Sequence, residues 1–199
     1  MQQRRTQAER RSETRGQLLA AAATVIARRG YLAASVSEIA KEAGCSTGAL
    51  YVHFAGKREL FLALFDAALT DWADGYLSAV TNVQSVDSVV TAVGARWGKL
   101  QDETPERTLL FIEFWSAAVR EPELRAEFVQ RHETIRATIT ALVRTVRAVT
   151  GVELALSDEE YGSIITALAD GFALQRLADP AAVPDSLFVT AVNSVLGLR

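Results

Sequence analysis

An all-α fold is predicted for this 199-residue chain, and three observations predict it. Apolar residues recur at three- and four-residue spacing along almost the whole sequence. Only four prolines interrupt it, and Ala, Leu, Val, Glu and Arg, mostly good helix formers, are abundant. Capping and stop residues fall between the periodic runs, and no segment alternates as a half-buried strand would. With 49% of residues hydrophobic there is ample material for a core, in one or two small domains.

Taken in order, the first helix is marked by Leu18, Leu19, Ala22, Val25 and Ile26, which share one face. Val36, Ile39, Ala40 and Ala43 make a short second one, and the methyl of Ala40 lets another helix cross closely. Gly44 is placed to leave that helix through a left-handed conformation, Cys45 to plug the gap, and Ser46 to N-cap the third helix. In the third helix Leu50 and Phe54 point inward. A long amphipathic helix follows over 58–80, then 86–101, then a segment over 107–120 with its start at Pro105, broken by Glu121-Pro122. The next, 123–150, carries Leu124, Phe128, Ile135, Ile139, Leu142, Val146 and Val149 at core spacing and stops at Gly151. Ser157 and Glu160 form a capping box that opens a helix to about Ala178, closed by Asp179-Pro180. After Val183-Pro184 a last helix carries Leu187, Phe188, Ala191, Val192, Val195 and Leu196, for about nine helices in all.

The net charge of −3 conceals an asymmetry. Residues 1–60 hold ten Lys or Arg against five Asp or Glu, net +5, whereas residues 61–199 hold eleven against nineteen, net −8. A basic head on an acidic body is the distribution expected of a protein that meets nucleic acid with one end. The arginines from Arg4 to Arg11 are read as preceding the first helix, either as an arm that follows the DNA backbone or enters a minor groove, or as a solvated tail. Glu9 and Glu13 within the basic stretch, and Arg28-Arg29 after the apolar run, oppose a signal peptide, so a cytoplasmic location is expected. No stretch approaches the ~20 apolar residues of a membrane span. One cysteine excludes an internal disulfide, no Cys/His cluster suggests a metal, and no cofactor is expected.

The stretch S-V-S-E-I-A-K-E-A-G-C-S-T-G-A-L-Y-V-H-F, Ser35 to Phe54, joins two short helices at a glycine with no room for a loop, the pattern of a helix-turn-helix. With Leu50 and Phe54 inward, Gly48 and Val52 face outward and Ala49 and Tyr51 flank them. A short helix that bares its far side in this way suits a major groove. Thr47 offers a hydroxyl, while Ala49 and Val52 offer only methyls suited to thymine. No Arg, Asn or Gln stands on this helix for a bidentate base contact, so Ser37 and DNA deformability are expected to contribute to sequence preference. Gly56 and Lys57 open the fourth helix, where an ammonium and helix N-terminal amides could hold one phosphate.

Arg15 to Leu69, including R-G-Q-L-L-A-A-A-A-T-V-I-A-R-R-G-Y and L-Y-V-H-F-A-G-K-R-E-L-F, resembles the DNA-binding domain of the TetR family of bacterial transcription regulators. The resemblance implies a DNA-binding domain over 1–65 and an effector-binding and dimerisation domain over 66–199. It implies that Tyr51, His53 and Lys57 touch phosphates and that Thr47, Gly48, Ala49 and Val52 face bases, with Ser37 and Ser46 beside them. F-I-E-F-W-S-A-A-V-R-E-P-E-L-R and A-L-A-D-G-F-A-L-Q-R-L-A-D-P resemble the family's variable body, which names no inducer. A pseudo-palindromic double-stranded operator, a small-molecule effector, and most often repression are implied as well.

In the body, L-L-F-I-E-F-W-S-A-A from Leu109 to Ala118 is apolar nearly all round and is read as buried, with Glu113 the exception that asks for a partner. Trp97, Phe111, Phe114, Trp115, Phe128 and His132, with Glu113 as polar anchor, are the candidate ligand site; a filled aromatic core is the other reading. Tyr161, Ile164, Ile165, Leu168 and Phe172, with the small Gly162, Ala167 and Gly171, make the last two helices a candidate homodimer interface. The alternatives are a small all-α enzyme using Glu113 and His132 as acid and base, and a DNA-binding dimer without a ligand.

Overall fold

A computed structural model describes residues 6–80, 85–103 and 105–197. The described residues form nine helices: α1 Gln7–Ala33, α2 Val36–Glu42, α3 Thr47–His53, α4 Lys57–Ala79, α5 Val86–Glu103, α6 Pro105–Arg120, α7 Pro122–Thr150, α8 Asp158–Ala178 and α9 Asp185–Leu196. No strand occurs among them.

Most boundaries follow from local chemistry. Ser35 and Ser157 each accept from the amide three residues on, while Glu38 and Glu160 reach back, closing the capping boxes of α2 and α8. α7 stops at Gly151, φ 65°, a left-handed cap that costs glycine little. The first boundary differs from the expectation. T-Q-A-E is itself a capping box: Thr6 Oγ1 accepts from Glu9 N–H at 3.2 Å and Glu9 Oε2 accepts from Thr6 N–H at 2.7 Å. α1 therefore starts at Gln7 and carries Arg10 and Arg11 on helix, not on an arm. Arg4 and Arg5 lie outside the described residues.

α1 is broken by Gly30, whose φ of 77° and ψ of 158° leave the helical region before the chain turns toward α2. α1 to α3 pack on the start of α4 around Leu18, Val25, Ile39, Leu50, Phe54 and Leu60. This core has no gap at residue 65. It continues through Phe61 and Phe65 of α4 into Leu110 and Phe114 of α6 and Leu124 of α7. A second core joins α5, α7, α8 and α9 through Trp97, Val143, Tyr161, Ile165, Phe188 and Val192. α7 and α8 approach so closely that a Cβ on Gly162 would overlap the Thr140 side chain. Gly162, Tyr161, Ile165 and Phe172 thus serve packing within the chain, correcting their placement on an outward-facing dimer surface.

Candidate DNA-facing surface and ligand cavity

The two short helices at the tip are set by three local devices. Gly44 takes φ 68°, Ser46 Oγ accepts from Ala49 N–H at 3.1 Å, and Leu50 and Phe54 are 0% and 2% exposed. That anchorage leaves Tyr51 and Val52 57% and 65% exposed, with Ser37, Ser46, Thr47 and Gly48 also at the surface. Ala49, His53 and Lys57 are half-buried. Arg15 stacks its guanidinium over the Phe54 ring at 5.1 Å, and Arg29 pairs with Glu38, tying α1 to α2 and α3.

The Lys57 ammonium is engaged within the chain. It donates to the carbonyls of Tyr31, Leu32 and Ala34 at 3.0, 3.2 and 3.1 Å and lies 4.7 Å from the centre of the Tyr31 ring. An ammonium has three donors, and all three are used. The reason is the break at Gly30, which leaves these carbonyls without helical partners.

Glu113 answers the same break from the other side and is not in the cavity. Its Oε2 accepts from Tyr31 N–H at 2.7 Å, and its carboxylate lies only 3.0 Å from where a Cβ on Gly30 would be. The turn from Gly30 to Ala34 is thereby held by a carboxylate on its amide and an ammonium on its carbonyls. Burial pushes the Tyr31 phenol above its ordinary pKa.

The body encloses a cavity of about 730 Å³. Of the candidate ligand residues, Trp97, Phe111, Trp115 and His132 line it. Phe114 and Phe128 do not: Phe114 is 0% exposed, with the Phe61, Phe65 and Phe128 rings 5.2, 4.8 and 5.3 Å away, so it fills the first core. Glu113 and His132 consequently face different surroundings, and the acid–base pair of the enzyme alternative is not assembled. Sequence reasoning missed Trp72 and Tyr76 on α4, 4.9 Å apart ring to ring, whose four-residue spacing was available as a signal. It also missed the aliphatic wall of Val93, Leu100, Ile139, Leu142 and Val143. All three tryptophans of the chain line the cavity.

His132 Nε2 lies 3.2 Å from Asp170 Oδ2 on the wall. The Arg107 guanidinium holds the Asp71 carboxyl below its usual range, and burial raises the Tyr76 phenol far above its own. Exposed lining residues, Trp115 and Ser116 on α6 and Ser163, Ala167 and Leu174 on α8, place the mouth between those helices. Among the described residues no His, Cys, Asp and Glu group could hold a metal ion, and no helix is long and apolar enough to cross a membrane.

Two family models match this architecture. Residues 18–64 match the bacterial regulatory proteins of the tetR family, and residues 89–197, more than half of the chain, match the C-terminal domain of BetI-type transcriptional repressors. The chain belongs to the TetR family of bacterial transcriptional regulators. It is 36% identical over 118 residues to the HTH-type transcriptional activator FasR of Mycolicibacterium smegmatis, covering 59% of this chain and 52% of the relative. The match thus spans about half the length of that relative. A TetR-family regulator structure from Rhodococcus sp. superposes with a TM-score of 0.78 at 26% identity, covering 93% of this chain and 99% of that one. The fold is shared with Bacillus subtilis FadR in complex with stearoyl-CoA, at a TM-score of 0.74 and 20% identity over 92% of this chain and 95% of that one.

Proposed function

We propose that the protein is a ligand-responsive, DNA-binding transcriptional regulator that acts as a cytoplasmic homodimer on a pseudo-palindromic operator and, as is most common in its family, represses until an effector releases it. Residues 1–65 form the DNA-binding part and 66–199 the effector-binding and dimerisation part. The observation that carries this reading is α6. One face, with Phe111, Ile112 and Trp115, lines the cavity, and the opposite face places Glu113 on the Tyr31 amide at the root of the helix-turn-helix. An occupant that shifts α6 therefore acts on the head through one rigid element.

Ser37, Ser46, Thr47, Gly48, Ala49 and Val52 are assigned to the groove, and Tyr51 and His53 to its phosphate walls. Lys57 is assigned a supporting part: it holds the end of α1, against which α2 packs. For the dimer, Ile164, Ala167, Gly171 and Leu174 are assigned to one face of α8, where Ala167, Gly171 and Leu174 also edge the cavity, with Leu187 and Ala191 of α9 beside it. Ile164, Leu174 and Leu187 are 37%, 54% and 40% exposed, which supports a partner there.

The test is selection of bound fragments from host genomic DNA, followed by titration of the selected duplex at several salt concentrations and by sedimentation of the protein alone. A palindromic consensus, a steep fall of affinity with salt and a dimer are expected. Recovery of no shared sequence, with salt-independent binding, would refute the reading. The cavity itself favours an effector over a DNA-binding dimer without one.

A further inference from the structure

The polar groups on the cavity wall divide sharply into those already used and those left over. Four of its ionisable side chains carry charge at neutral pH or can do so, and each has a partner. Arg107 pairs with Asp71, Arg136 pairs with Glu133, and His132 and Asp170 face each other at 3.2 Å. Arg96, whose guanidinium packs on Gly75, is not part of the wall. The hydroxyls are occupied too. Thr108 donates to Gln101 Oε1 at 2.9 Å, Ser163 to the Glu159 carbonyl at 3.0 Å and Thr166 to the Gly162 carbonyl at 2.7 Å, while Ser116 accepts from Arg120 at 2.6 Å.

Two donors remain. Tyr76 is 5% exposed and Trp97 3%, both line the cavity, and neither the phenol nor the indole N–H has a hydrogen-bond partner among the described residues. Buried Tyr and Trp ordinarily find a partner, because an unmet donor loses its water without compensation. Each has an aromatic neighbour that fixes its ring, Trp72 at 4.9 Å from Tyr76 and Phe188 stacked on Trp97 at 4.6 Å.

We infer that the effector is an uncharged, elongated and mostly apolar molecule with an oxygen acceptor, such as a ketone or ester carbonyl, which takes the Tyr76 and Trp97 donors. The inference rests on the effector-cavity reading above and narrows it. A ligand carboxylate would enter a largely apolar chamber whose lining cations, Arg107 and Arg136, are already paired, and an ammonium would meet only Asp170, already hydrogen-bonded to His132, so either charge is costly unless an existing partner is displaced. A neutral body gains from burial against the aliphatic wall, and its carbonyl supplies the acceptor that the buried Tyr76 and Trp97 donors need.

The experiment uses four thirteen-carbon probes that differ only at one end: 2-tridecanone, tridecanoate, tridecylammonium and tridecane. Each is titrated into the full-length protein below its aggregation limit. Binding is read by fluorescence of Trp72, Trp97 and Trp115 and by the shift in Tm. The ketone is expected to bind about tenfold or more tightly than each charged probe and about fivefold more tightly than the alkane. Tyr76→Phe, which removes one oxygen and no ring, should erase most of the ketone's advantage over tridecane while leaving tridecane affinity unchanged. Tighter binding of the carboxylate or ammonium, or an unaltered ketone preference in Tyr76→Phe, overturns the inference but leaves the effector cavity standing. Failure of all four probes to bind overturns both.

Discussion

The helix-turn-helix head and the body solve opposite packing problems with the same helical vocabulary. The head is solid: Leu18, Ile39, Leu50 and Leu60 are each 0% exposed, and the Tyr31, Phe61, Phe65 and Phe114 rings run as one series from α1 through α4 to α6. The body encloses about 730 Å³, with large side chains around the space rather than in it. A solid head keeps α3 in fixed geometry, whereas a hollow body leaves wall side chains without partner atoms on one side. The lesson is that full packing and open space are divided between regions, with α4 and α6 shared by both.

The contrast is open to direct attack, and the largest effect is expected from Phe114→Ala. Removing a sealed ring from the solid core should cost about 3–5 kcal/mol, whereas Leu142→Ala on the cavity wall, where one side already lacks partner atoms, should cost about 2 kcal/mol or less. Urea unfolding at constant m compares them, and equal losses would deny that the two regions differ.

Lys57→Ala should come next. It leaves three carbonyls of the α1 terminus without their cation and should lower stability by about 1–3 kcal/mol, with faster amide exchange in α1 to α3. The slope of log affinity against log salt should stay near the wild-type value. A slope reduced by about one would return Lys57 to the phosphates.

Val143→Phe extends a ring into the cavity and should raise stability by about 0.5–2 kcal/mol while abolishing the fluorescence response to any probe that binds the wild type. Loss of stability instead would mean that the space is not available to the added ring. The smallest effect concerns the capping box of α8. The Ser157 amide, then its hydroxyl, hold the Glu160 carboxyl below its ordinary 4.5. A folded-state pKa below the unfolded one gives a contribution that is present above about pH 4.5 and is lost as pH falls through the depressed value. Ser157→Ala should therefore lower Tm slightly at pH 7 and flatten its decline in acid, measured by circular dichroism.

Much of the fold was legible because caps and stops act locally. Gly44, Ser46, Gly151 and the Ser157–Glu160 box occur where their chemistry places them. The same reasoning passed over Thr6 and Glu9, so Arg10 and Arg11 were placed before the first helix although that helix was already capped in sequence. The cavity was half legible. Trp97, Phe111, Trp115 and His132 line it, but aromatic character cannot distinguish a ring beside a space from one that fills it, as Phe114 and Phe128 do. Glu113 was rightly read as needing a partner, and the partner is an amide 82 positions away in sequence.

By itself the sequence determined the helices, the turn between α2 and α3, the outward face of Tyr51 and Val52, and the family, because each depends on spacing within a few residues. Only the tertiary structure decided that Lys57 and Glu113 clamp the broken end of α1, that Gly162 serves a crossing within the chain, and that the body is hollow. Those features depend on groups far apart in sequence meeting or failing to meet, and no local pattern records how completely facing helices fill the volume between them.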